Sequence, residues 1–184
     1  MAPRVAGPIF QFAEVRLEQQ AQAVLRRLPA MAGHTVRIER APGLRDRRGP
    51  VFAGAFLRER RIAFDCTARE FGRIFTHELF HFVWWKAGNP ARRSFERVLA
   101  AEWKAGARGE LGWSAEWRKD ALRAAGVRGR DRHWREYCAE SFCDTGAWLY
   151  GGAGRHAEFT LESRFRRRRR AWFRDFVNRG QLSI

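Results

Sequence analysis

The stretch that decides the fold is residues 67–86, TAREFGRIFTHELFHFVWWK. Thr67 and Glu70 have the spacing of a capping box, in which two side chains bond to free amides at a helix start. Gly88 is a typical residue just beyond a helix end. Between these signals, apolar residues fall on nearly every helical face, which is typical of a helix buried in a core. The stretch therefore predicts a central buried helix over about 68–86.

Polar residues in the middle of this helix form the pattern HExxH, made by His77, Glu78 and His81. Residues four apart on an α-helix differ by about 6 Å of rise and about 40° of rotation, so both imidazoles face the same side. They can reach one Zn²⁺ ion, while Glu78 stands beside the ion as a base for water. Unpartnered buried His and Glu side chains are costly, which favours a bound cation. The alternative is two core histidines bonded to backbone carbonyls, with Glu78 in an ion pair.

A second stretch, about 132–150, offers a third ligand, which zinc needs. Glu136, Glu140 and Asp144 recur every four residues and so share one face of a predicted helix. Like charges at this spacing repel one another, and a facing cation would turn the repulsion into attraction. Glu140, Glu136 and His133 are all candidates, and a solvated acidic face paired with arginines is the simpler alternative.

HExxH followed by ExxxD on a later helix resembles the gluzincin group of zinc metallopeptidases. The resemblance implies that Glu140 is the third zinc ligand and that Asp144 accepts a hydrogen bond from His77. A carboxylate in that place fixes the tautomer of a ligand histidine and raises its basicity. Because its frame also supplies Asp144, Glu140 is preferred over Glu136, which remains the alternative ligand.

Two other zinc-peptidase patterns do not fit the chain. The metzincin continuation needs a Gly and a third His, and Trp84 and Ala87 stand at those positions. The distal Asp of the aspzincin pattern would fall on Ala147. The gluzincin resemblance is therefore retained.

The resemblance implies a zinc-dependent peptidase, in which Glu78 takes a proton from zinc-activated water that then attacks a peptide carbonyl. The developing oxyanion needs a donor besides zinc, and Tyr150 is the candidate for this catalytic role. In zincins the strand before the active helix is a sheet edge that pairs with an extended substrate. By resemblance, residues 61–65 have this role, and a peptide or protein is the expected substrate.

The 184 residues predict a single α+β domain over 1–184. Residues 1–66 are expected to form a helix, over 12–28, and a small antiparallel sheet. Its strands are predicted at 34–40, 51–57 and 61–66. Residues 67–184 are predicted to be helical, and further helices are expected from 89–90, over 114–126, over about 132–150 and over 160–178. The expected architecture is a small antiparallel sheet packed on a mostly helical zincin-like domain with the HExxH helix at its centre.

The net charge of +16, carried mostly by arginine, bears on possible partners. Such a charge favours nucleic acid, an anionic surface or acidic partners. Arg164 and residues 166–170 lie in the predicted last helix, where they form either the outer face of a docked helix or a patch for such partners. Two rival functions follow: a nucleic-acid-binding module with a structural zinc, and an inactive zincin fold that serves as an interaction domain.

Cysteine usage bears on the compartment. Cys66, Cys138 and Cys143 have no disulfide-framework spacing, which suits a reducing environment. No signal peptide is evident, and no apolar run is long enough to span a bilayer. A cytoplasmic location is therefore expected.

Overall fold

The computed structural model describes residues 9–46 and 49–184. The strands are β1 (Phe10–Phe12), β2 (Met31–Ala32), β3 (Val36–Arg40), β4 (Arg45–Asp46), β5 (Gly49–Pro50), β6 (Ala53–Phe56), β7 (Arg61–Phe64) and β8 (Leu182–Ser183). The helices are α1 (Val15–Leu25), α2 (Ala68–Lys86), α3 (Gly88–Lys104), α4 (Trp113–Asp120), α5 (Ala124–Gly129), α6 (Arg132–Tyr150) and α7 (Ser163–Val177). Strands dominate the first third and helices the rest, so the predicted α+β class is confirmed.

The main sheet has four strands in the order β1-β3-β7-β6. β1 and β7 run parallel to β3, whereas β6 is antiparallel to β7. The predicted antiparallel sheet is therefore correct for the β6–β7 hairpin and wrong for the other two pairs. α1 connects β1 to β3, and parallel strands need a crossover of this kind. The sequence pattern does not reveal β1, since the strand has only three residues and the last of them, Phe12, is the first residue of the predicted helix at 12–28.

The free edge beside the HExxH helix belongs to β6. β7 lies between β3 and β6, so the expectation that residues 61–65 form the edge is wrong. The amide of Asp65 donates to the carbonyl of Phe52 at 2.8 Å, which sets the hydrogen-bonding register of the hairpin. In this register the backbone groups of Ala53 and Ala55 point away from β7, because antiparallel pairs alternate.

α2 packs between the sheet and α6, as expected for a buried central helix. Phe71 contacts Phe64 of β7 with ring centroids 5.1 Å apart, and Phe80 contacts Phe142 of α6 at 5.8 Å. A Cβ atom on Gly146 would lie 2.5 Å from the ring of Phe80. The glycine therefore allows α6 to approach α2 closely, which brings their polar side chains within reach of one another.

The starts of α2 and α6 differ in whether a side chain caps the free backbone amides of the helix. Thr67 is the N-cap residue of α2, but its side chain makes no capping bond, and Glu70 instead pairs with Arg73 at 2.9 Å. The predicted capping box therefore gives the correct start of α2, but its hydrogen bonds do not form. Asp131 does cap α6, because its carboxylate accepts a hydrogen bond from the amide of Trp134 at 2.8 Å.

The predicted helix over 114–126 is in fact two helices, α4 and α5. The chain turns between them and buries Leu122 in the main core. α4 begins at Trp113, directly after Gly112, and its start faces α6. Within the described residues, no helix is both long and apolar enough to cross a membrane.

Candidate metal centre

The two histidines of the motif meet on the face of α2 that lies toward α6. Nε2 of His77 and Nε2 of His81 are 3.2 Å apart, and their ring centroids are 5.0 Å apart. His77 is buried, and His81 is partly buried. The four-residue spacing thus places both imidazoles on one side, as expected from helix geometry.

α6 brings Glu140 to the same point. Its Oε2 atom is 3.3 Å from Nε2 of His77 and 3.9 Å from Nε2 of His81. A tetrahedral zinc ion with bonds of about 2.0–2.1 Å has ligand atoms about 3.3 Å apart. Among the described residues, these three side chains form the group whose donor atoms could hold a metal ion. Two of the three separations, 3.2 and 3.3 Å, match this value, and the third, 3.9 Å, is longer.

Asp144 supports this group from behind His77. Its Oδ1 atom lies 2.7 Å from Nδ1 of His77, and its Oδ2 atom accepts a hydrogen bond from the amide of Ala115 at 3.0 Å. Gly112 makes room for this contact, because a Cβ atom there would lie 2.2 Å from the Asp144 carboxylate. In the neutral form of His77 with its proton on Nδ1, which Asp144 favours, the lone pair of Nε2 would face Glu140 and His81.

The site attracts positive charge. Burial disfavours the charged form of His77, but the carboxylates of Asp144 and Glu140 outweigh this effect and raise its pKa well above the usual value. Burial also disfavours charge on Glu140, but the hydrogen bond from His77 and the charges of His81 and Arg118 lower its pKa to about 2. Glu140 is therefore ionised at neutral pH.

A charge count explains this attraction. Three carboxylates, those of Glu78, Glu140 and Asp144, act on the pair of histidines. One guanidinium, that of Arg118, contacts the group. A cation that binds both imidazole nitrogens requires neutral imidazoles, and in that state two negative charges remain uncompensated, which a divalent cation would neutralise.

Arg118 is a site residue that the sequence analysis missed. Its Nη2 atom is 3.1 Å from Oε1 of Glu140, and its Nη1 atom donates to the carbonyl of Ser114 at 2.7 Å. The guanidinium also lies over the ring of Trp117, 4.2 Å from the centroid. No local signal marks Arg118 among the many arginines of the chain, because only the packing of α4 against α6 brings it to Glu140.

A cleft of about 820 Å³ reaches the group at His77, whereas His81 and Glu140 are not among the residues that line it. Glu78 and Asp144 also line this cleft, and aromatic residues come from the segment just before β6 (Phe52) and from α4 (Trp113 and Trp117). Phe52 and Trp113 are 71% and 65% exposed, so large apolar side chains stand open to solvent beside the candidate site. The sequence analysis did not identify these two residues, since both lie in segments distant from the motifs.

Tyr150 is not at the cleft. Its ring stacks on Phe80 with centroids 5.8 Å apart, and burial raises its pKa. It lies ten residues beyond Glu140 on α6, or about 15 Å along the helix axis. Tyr150 is therefore a partly buried residue packed against the core, and its expected role as oxyanion donor is not compatible with its position.

The other candidate ligands also lie apart from the histidines. Glu136 pairs with Arg132 at 2.6 Å on the surface of α6. The side chain of His133 is 71% exposed and approaches Asp131. The structure thus brings Glu140, rather than Glu136 or His133, to the HExxH motif.

The arginine-rich helix α7 is not a simple outer face. Arg169 is fully buried, and its guanidinium pairs with Glu102 and Glu110, each at 2.7 Å. Lys119 lies 3.2 Å from Glu110, and the hydroxyl of Tyr137 donates to Glu110 at 2.6 Å. The expectation that the arginine run is solvated is wrong for Arg169, because its charge balances carboxylates of other elements.

The remaining arginines of this run have mixed roles. Arg166 donates to backbone carbonyl groups of the preceding loop. The guanidinium of Arg170 lies 4.6 Å from the ring centroid of Trp148. Arg167 and Arg168 are exposed. Part of the run is therefore structural, and Arg167 and Arg168 belong to the exposed basic surface.

Comparisons of this chain with known protein families, with curated proteins and with solved structures give no match. The gluzincin resemblance therefore depends on the two motifs and on the geometry that they form.

Proposed function

We propose that this chain is a zinc-dependent peptidase of the gluzincin type. The observation that carries the proposal is the convergence of His77 Nε2, His81 Nε2 and Glu140 Oε2 beside an open cleft, with Asp144 on the far side of His77. Two imidazole nitrogens and one carboxylate oxygen are a typical catalytic zinc set, and they leave a fourth position for water or substrate.

The protein groups would divide the chemistry among them. His77, His81 and Glu140 would hold the ion, and Asp144 would keep His77 in the tautomer that presents Nε2. When bound, Zn²⁺ would lower the pKa of a coordinated water and polarise a substrate carbonyl. Glu78, which lines the cleft next to His77, would accept the proton of the attacking water and pass it to the leaving nitrogen.

The edge of β6 supports an extended peptide as the substrate. Phe52 and Ala53 line the cleft, and the backbone groups of Ala53 and Ala55 point away from the sheet. An added strand would bond to these groups without reading side chains. The substrate strand would thus pair with β6 and not with β7, which differs from the expectation based on residues 61–65.

The charge of the cleft favours a peptide over a nucleic acid. Among the described residues that line it, four are carboxylates, those of Asp46, Glu78, Asp144 and Glu158. Two are arginines, Arg73 and Arg118, and both already pair with carboxylates. A polyanion would meet repulsion in this cleft even though the whole chain has a net charge of +16. Nucleic acid is therefore a candidate partner only for the exposed basic surface.

The ligand count and the cysteines support the remaining parts of the proposal. A purely structural zinc site uses four protein ligands, whereas the described residues provide a group of three beside a cleft. Cys66, Cys138 and Cys143 are all free thiols. Free thiols suit the reducing cytoplasm, which is the compartment that we propose.

Metal analysis and a peptide-cleavage screen test the proposal together. We expect wild type, Glu78→Gln and Glu136→Gln to retain zinc, and Glu140→Gln to lose it. Glu78→Gln should cleave peptides about 10²–10⁴-fold more slowly, because the proton acceptor is gone while the metal ligands remain. Equal cleavage by Glu78→Gln, or zinc loss from Glu136→Gln but not from Glu140→Gln, would contradict the proposal.

A further inference from the structure

The two carboxylate oxygens of Glu140 have different partners, and Arg118 is the partner of one of them. Oε2 of Glu140 faces the histidines, whereas Oε1 lies 3.1 Å from Nη2 of Arg118. A carboxylate free of such a partner can bind a metal through one oxygen or through both. The Arg118 contact occupies the second oxygen.

The guanidinium is itself held in place by two further contacts. Nη1 donates to the carbonyl of Ser114, one helical turn earlier, and the group stacks on the ring of Trp117. Its Nε atom is buried and has no hydrogen-bond partner within residues 9–46 and 49–184. An unsatisfied buried donor is unfavourable. The other contacts of the side chain must therefore offset this cost. Among them, the ion pair with Glu140 is the contact to a proposed metal ligand.

From this geometry we infer that Arg118 is a positioning residue, which holds Glu140 so that a single carboxylate oxygen is offered to the metal. The inference rests on the proposed function, since it concerns the ligand set of the same site. One-oxygen binding by Glu140 keeps the coordination number low and leaves the open position that a catalytic zinc site needs. Arg118 also offsets part of the negative charge around the histidines.

Positioning and charge predict opposite effects of removing Arg118 on zinc affinity. Loss of a positive charge near the site would, by itself, strengthen the binding of a cation. Loss of a group that orients a ligand weakens metal binding, typically 10–100-fold. If Arg118 acts by position, the Arg118→Met protein should bind zinc about 10-fold more weakly.

Arg73→Met is the matched control. Arg73 also lines the cleft and also pairs with carboxylates, but its partners Glu70 and Glu158 are outside the ligand group. Removing its charge should leave zinc affinity unchanged or slightly higher. Arg118→Lys keeps the charge but lacks the planar fork, so it should restore only part of the lost affinity.

The experiment measures zinc affinity by competition with a chelator and the zinc coordination number by X-ray absorption, with circular dichroism of each metal-free variant. We expect one more zinc–oxygen bond in Arg118→Met, because both oxygens of Glu140 become available. If Arg118→Met does not fold, the zinc affinity and coordination number of Arg118→Lys are compared with those of wild type instead. Weaker zinc binding by Arg118→Lys would then support the inference. Unchanged or tighter zinc binding with an unchanged coordination number would overturn the inference alone. No zinc binding by wild type would overturn the proposed function and this inference together.

Discussion

Two clusters of buried charge lie along α6, and they differ in how their charges are balanced. The closed cluster consists of Glu102, Glu110, Lys119, Tyr137 and Arg169. The open cluster consists of His77, Glu78, His81, Arg118, Glu140 and Asp144. Both draw their members from segments that are distant in sequence, and these are helices except for the loop that holds Glu110.

In the closed cluster, two carboxylates face two cations. Glu110 and Arg169 are both 0% exposed, and the two oxygens of Glu110 accept bonds from several donors. Burial disfavours the charged form of Glu110, but Arg169, Lys119 and the hydroxyl of Tyr137 outweigh it and lower its pKa. This cluster is complete within the protein, so we assign it a role in stability.

In the open cluster, three carboxylates face one guanidinium, and the group borders the cleft. With both imidazoles neutral, as metal binding requires, its two excess negative charges match a divalent ion. The difference shows that burial of charge alone does not indicate a functional site. The useful criterion is whether the protein itself supplies the balancing charge.

The largest effect is expected on stability, when the buried guanidinium of the closed cluster is removed. Arg169→Met leaves the carboxylates of Glu102 and Glu110 without their main partner in a dry environment. We expect the free energy of unfolding to fall by about 3–5 kcal/mol, measured by urea denaturation. The exposed neighbour Arg168→Met is the matched control, with an expected change within about 0.5 kcal/mol. A loss of similar size in both variants would contradict the assignment of a closed cluster.

A smaller effect is expected from loosening the open cluster. Asp144→Asn removes the carboxylate that receives the Nδ1–H of His77 but preserves the shape of the side chain. We expect zinc affinity to fall about 10–100-fold, measured by chelator competition. Glu136→Gln, which changes an exposed carboxylate on the same helix, should bind zinc like wild type. Equal affinities in the two variants would show that Asp144 does not act on the proposed metal site.

The smallest effect is expected when a methyl group is added at Gly112, next to Asp144 of the open cluster. Gly112 has an extended backbone, which any residue can adopt, but an added Cβ atom would lie 2.2 Å from the Asp144 carboxylate. In Gly112→Ala the carboxylate or the start of α4 must shift, so we expect stability to fall by about 1–3 kcal/mol and zinc affinity to fall less than in Asp144→Asn. Gly129→Ala, which meets no atom within 4 Å, is the control. Normal zinc binding and stability in Gly112→Ala would show that this close approach is unimportant.

Local patterns in the sequence determined the parts of this protein that depend on neighbours along the chain. The buried helix α2, the common face of His77 and His81, and the common face of Glu140 and Asp144 all follow from helical periodicity. The extent of α6, predicted over about 132–150, and the β6–β7 hairpin follow from short-range signals of the same kind.

The tertiary structure alone decided which distant groups meet. Parallel pairing of β1, β3 and β7 places the free edge at β6, and strand order cannot be read from the period of a single strand. The approach of α4 to α6 selects Arg118 as the partner of Glu140, whereas burial of Arg169 removes one residue from an apparently solvated run. The physical reason is that an arginine has the same local sequence preference whether it faces water or a buried carboxylate. Only the packing of several elements supplies the partner and the surroundings that distinguish the two.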